Sequence, residues 1–128
     1  MSIRVVKLGS PRAPHEGLRI GTVRRPPRGV AKTQFAKLDY YDVWLPMLAP
    51  SQELVSFALH SQDEKSWRTF ERKYRAEMKH PDASRVLDLF AALSQQTNFS
   101  IGCYCEDETR CHRSILKKLL AERGAAFA

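Results

Sequence analysis

The sequence predicts an α/β domain: a small, open, mainly parallel sheet with helices packed on it. Three observations lead there. β-branched runs open the chain, helical periodicity fills its middle, and a strand-like run followed by a helix closes it. The run Phe99 to Tyr104 is apolar at nearly every position, as expected of a strand covered on both faces. At 128 residues and 43% hydrophobic content, the chain is the size of one domain whose core needs no disulfide or metal staple. The whole of 1–128 is therefore read as a single domain.

The elements follow in order. Ile3 to Leu8 reads as a first strand, broken by Gly9-Ser10-Pro11. Leu18 to Val23 reads as a second. Arg24-Arg25-Pro26-Pro27-Arg28-Gly29 must be a loop, because paired prolines and a glycine break regular structure. Phe35 to Tyr41 is ambiguous, and Val43 to Leu48 reads as a short helix or turn ended by Pro50. Ser51 is placed to cap a helix carrying Leu54, Val55, Ala58 and Leu59. A second helix spans Glu64 to Lys79, with Trp67, Phe70, Tyr74 and Met78 on one stripe, and Pro81 stops it. Asp82 or Ser84 caps a third, whose buried face holds Val86, Leu87, Leu89, Phe90 and Leu93. The last helix runs from Ile115 to Arg123, with Gly124 as its stop.

Composition narrows the function classes. No apolar run reaches the roughly 18 residues of a membrane span. The start, Met-Ser-Ile-Arg-Val-Val-Lys, has no signal-peptide pattern. A cytoplasmic protein is expected. Three clustered cysteines do not make a disulfide framework there. The net charge of +7 favours an anionic partner, a phosphorylated small molecule or nucleic acid. No acid interrupts the stretch from Arg19 to Lys37, so the positive charge is locally concentrated.

The chemistry is concentrated at one strand-to-helix turn, Cys103-Tyr104-Cys105-Glu106-Asp107-Glu108-Thr109-Arg110-Cys111-His112-Arg113. Such a turn presents backbone N–H groups and a positive helix end to an anion. In a parallel sheet ligands bind beyond the carboxyl ends of the strands, which is where this turn falls. Arg113 is the expected anion grip, because its planar fork meets two oxygens at once, with Arg24 and Arg28 as outer charge. Arg113 pairing with Glu106 or Glu108 would instead staple the loop. His112, Cys111 and Cys105 are the candidate reactive groups, and Tyr104 and Glu106 the candidate supports. A thiol enzyme or redox sensor using Cys105 and Cys111 is the second reading, and a non-catalytic nucleic-acid module the third. The Cys-x5-Arg pattern of thiol phosphatases fails here, since Cys111 stands six after Cys105. Zinc would take Cys103, Cys105, Cys111 and His112, but Cys-x-Cys on a strand is a poor match to zinc knuckles, so no metal is assigned and the cofactor stays open.

The same turn, Cys-Tyr-Cys-Glu, an acidic loop and Cys-His-Arg, resembles the DUF488 family of bacterial proteins. Arg24 with Pro27-Arg28-Gly29-Val30, Trp44-Leu45, Leu48-Ala49-Pro50-Ser51 and the Trp67, Phe70, Tyr74, Glu77 helix are similar to family segments in the same order. His60 stands where members often have a histidine. The resemblance implies an α/β fold and a shared pocket, and no established reaction. The chain departs from it at Val23, where the family has Asp, and at Arg25-Pro26, where it has Leu-Trp.

Overall fold

The computed structural model describes residues 1–60 and 63–128. Four parallel strands form one sheet: β1 (Ile3–Lys7), β2 (Leu18–Gly21), β3 (Val43–Trp44) and β4 (Phe99–Cys103), in the order β1-β4-β2-β3. Among the described residues four α-helices accompany them: α1 (Gln52–His60), α2 (Glu64–Glu77), α3 (Pro81–Leu93) and α4 (His112–Glu122). The α/β expectation holds. Among the described residues no helix is long and apolar enough to cross a membrane.

β4 lies between β1 and β2 and is buried at every position. This is why its sequence does not alternate. Ile101 pairs with Val5 on one side and Ile20 on the other, which fixes the register of both neighbours. The helices cover the sheet through a core containing Leu48, Leu54, Phe70, Tyr74, Leu87, Phe90, Ile115, Leu116 and Leu120. Trp67 stacks on Phe70 at 5.1 Å, extending the predicted stripe of α2. Tyr74, fully buried, donates its hydroxyl to the Leu48 carbonyl at 2.6 Å, so the burial leaves no polar group unmet.

Four expectations are corrected. Val43–Trp44 is an edge strand, not helix, because Asp42 N–H and Leu45 N–H donate to the carbonyls of Arg19 and Gly21. A single 3-10 turn, Pro46–Leu48, follows it. Pro81 does not merely stop α2: it opens α3, where a missing N–H costs nothing, and His80 rather than Asp82 or Ser84 is the cap. Leu89 faces solvent. The last helix starts at His112, three residues before the first aliphatic side chain, because the first turn buries His112 and Arg113 in place of apolar groups.

Toward the carboxyl end of the sheet two glycines pair across strands, Gly21 with Gly102. A Cβ on Gly21 would stand 2.4 Å from the Tyr41 ring, and one on Gly102 2.6 Å from Leu8 Cδ2. Bare backbone lets those side chains close over the strand ends. Gly21→Ala is expected to cost about 1 to 3 kcal/mol through overpacking. Urea denaturation measures it, and an unchanged midpoint would show that Tyr41 yields freely.

Candidate functional site

β4 ends at Cys103, so Cys105 lies just beyond the carboxyl end of the central strand. The loop then turns through a 3-10 segment, Glu108–Arg110, held by Asp107, whose carboxylate accepts from Thr109 N–H and Oγ1–H. Arg110 pins this loop to α2 by an ion pair with Glu64 and by standing over the Trp67 ring. Lys7 at the end of β1 pairs with Glu106. Cys111 is the N-cap of α4, and Ser114 N–H donates to its carbonyl at 3.0 Å.

This path gathers the three sulfurs and the imidazole. Cys103 Sγ and Cys105 Sγ lie 3.7 Å apart, and Cys111 Sγ is 3.8 Å from His112 Nδ1. The ligand atoms of Cys103, Cys111 and His112 all fall within 4.8 Å of one another. Cys103 and Cys111 are buried, whereas Cys105 is exposed. Hydrogen bonding within the cluster splits the thiols. Accepting from Cys103, with the Cys111 thiol and Arg113 nearby, Cys105 is held well below the usual thiol range. Donating to it, and buried, Cys103 is pushed up, and so is Cys111, buried beside both sulfurs.

His112 is buried and close-packed, with Tyr74 edge-on at 5.6 Å. Its Nε2 lies 2.6 Å from the Thr22 carbonyl. A carbonyl only accepts, so Nε2 carries the proton and Nδ1 turns a lone pair toward Cys111. Burial lowers the imidazole to about 4, which leaves it neutral at pH 7.

Arg113 does not pair with Glu106 or Glu108. Its guanidinium is buried and donates to the carbonyls of Val6 at 2.9 Å, Cys103 at 3.4 Å and Cys105 at 3.0 Å. It ties the ends of β1 and β4 to the loop. Its Nε is buried without a partner. Arg24 donates to the carbonyls of Pro50 and Ala49. Arg28 is exposed in the proline loop. Tyr104 links that loop to the site, its hydroxyl donating to the Arg25 carbonyl at 3.0 Å. Glu106 is exposed and turned to Lys7.

Residues 3–124 match the family model described as DUF488-N3a, the active DUF488-N3 subclade. The chain belongs to the DUF488 family. No curated protein and no solved structure matches it. In this DUF488 protein the resembling segments meet around the turn. Glu77 accepts from Ser51 N–H and Oγ–H at 2.9 and 2.5 Å, joining the Pro50-Ser51 segment to α2. Trp44 donates Nε1–H to the Val23 carbonyl at 2.8 Å. Val23 itself is buried in a second apolar cluster with Leu8, Tyr41, Cys103 and Cys111. Sequence reasoning missed Thr22, which orients His112 through its main chain. A residue acting by its carbonyl leaves no side-chain signal.

Proposed function

We propose that the protein is a thiol-dependent enzyme acting on an anionic, phosphate-bearing substrate, with Cys105 as its nucleophile. The observation that carries this reading is the placement of Cys105. It is the solvent-exposed sulfur among three that converge beyond the central strand of a parallel sheet. That is the place where such sheets bind ligands. Its hydrogen-bond partner Cys103, 3.7 Å away, is buried, and this contact together with the buried Cys111 thiol nearby favours its charged form.

The basic proline loop supports the anionic part. Tyr104 stands between the two cysteines in sequence and holds the loop that carries Arg25 and Arg28 by the Arg25 carbonyl. Nucleic acid and phosphorylated small molecules share the recognised group. Arg113, committed to three carbonyls, serves this reading as a positioning residue and a fixed positive charge rather than as the outer grip.

Iodoacetamide labelling in the presence of EDTA, read by peptide mass spectrometry, tests it. Cys105 is expected to label at neutral pH well ahead of Cys103 and Cys111, and faster than a free thiol. Phosphate or a short single-stranded oligonucleotide is expected to slow it. Equal, slow labelling of all three would remove the nucleophile. Fast labelling that neither anion affects would remove the anionic substrate.

A further inference from the structure

We infer that Cys103, Cys105, Cys111 and His112 together form a tetrahedral Zn²⁺ site, with His112 bound through Nδ1. The inference deepens the preceding reading and rests on it in one respect only: the metal would hold the reactive sulfur, Cys105, as its thiolate.

Distances carry it first. Four ligands at the usual zinc bond lengths put sulfurs about 3.8 Å apart and a sulfur and an imidazole nitrogen about 3.6 Å apart. The Cys103–Cys105 separation is 3.7 Å and the Cys111–His112 separation 3.8 Å. Cys103, Cys111 and His112 all stay inside 4.8 Å of one another; Cys105, outside that group but 3.7 Å from Cys103 and on an exposed loop, turns its side chain inward to complete the four. The Cys-x-Cys spacing that spoke against zinc assumed both residues on one strand. With β4 ending at Cys103, the backbone is free to bring the second sulfur round to the first.

The imidazole is prepared in the same sense. A metal-bound histidine donates its other ring N–H to a carbonyl or carboxylate, which fixes the tautomer. His112 does so to Thr22 at 2.6 Å, leaving Nδ1 unprotonated beside Cys111.

Charge supplies a third argument. Arg113 is a buried cation, and among the described residues no carboxylate pairs with it. Buried charges are ordinarily paired. A zinc ion with three thiolates and one neutral imidazole carries a net charge of −1. With Cys105 already a thiolate, Zn²⁺, one S⁻ and two S–H groups give this anion and two protons released to solvent. Arg113, bonded to the main chain of two of the ligands, is placed to balance it.

Co²⁺ titration into the metal-free full chain is the test. Expected are one equivalent bound, the intense visible bands of tetrahedral cobalt, near-ultraviolet sulfur-to-cobalt charge transfer, and displacement by Zn²⁺. In Cys105→Ser, an exposed position whose change leaves the core intact, the charge-transfer intensity is expected to fall by about one third, from three thiolates to two. Weak bands of octahedral cobalt, or none, in the folded wild type would overturn the site. Charge transfer unchanged in Cys105→Ser would overturn the four-ligand set. Fast alkylation of Cys105 without cobalt binding sinks the metal and spares the nucleophile; cobalt binding with an inert Cys105 does the reverse.

Discussion

Glu16→Gln is expected to destabilise the fold by about 3 to 5 kcal/mol at neutral pH, because it breaks a buried ion pair and leaves its cation behind. Arg19 is fully buried. Its guanidinium donates to Glu16 at 2.8 and 2.9 Å and to the carbonyls of Ser10 and Asp39 at 2.8 and 2.7 Å. Ser100 on β4 donates to the same carboxylate at 2.8 Å. Burial alone would raise the Glu16 carboxyl. Hydrogen bonds from Arg19, Ser100 and the Ala13 N–H, with the Arg19 charge, reverse this and bring it from 4.5 to about 2. A carboxyl depressed in the folded state adds stability above its unfolded value and loses it as pH falls. That contribution, about 3 kcal/mol for such a shift, is complete above pH 4.5 and gone near pH 2. Urea unfolding at pH 7, 4.5 and 3 measures it. Wild type is expected to lose stability over that window much more steeply than Glu16→Gln, and parallel curves would show that the pair contributes nothing.

Arg113→Ala is the second large effect, a loss of about 3 to 5 kcal/mol. It removes a buried cation's bonds to three carbonyls and leaves those acceptors without it. Two of the three belong to Cys103 and Cys105, so the damage reaches the sulfurs as well as the sheet. Arg113→Lys cannot reproduce the fork and is expected to recover only part of the loss. Circular-dichroism melts give the stability. The alkylation pattern gives the second readout: a purely structural arginine would leave the preference for Cys105 intact in Arg113→Lys, whereas a positioning one would let it fall toward that of its neighbours.

Much of this was legible in the residues. β4 declared itself by a run apolar at nearly every position, and α2 by the spacing of Trp67, Phe70, Tyr74 and Met78. The turn declared itself by its density of Cys, His and Arg. The errors have physical causes. β3 is two residues long and made by main-chain bonds to β2, so no side-chain period announced it. The first turn of α4 buries a histidine and an arginine, which a hydrophobic pattern counts as surface. Arg113 looked like an outward grip because arginines rarely lie inside. Only the fold shows that three carbonyls face it.

The strand order has one more consequence. β1 and β2 do not pair with each other; each pairs with β4. During synthesis β2 can pair with β3, but β1 and the other edge of β2 wait unmatched until residues 99–103 have left the ribosome. Cys103 ends that strand, and Cys105, Cys111, His112 and Arg113 follow within ten residues. A nascent chain stopped before residue 99 has neither a closed sheet nor any of these groups. Reactive sulfur thus arrives with the strand that shelters it, and products of translation truncated before β4 carry none of it.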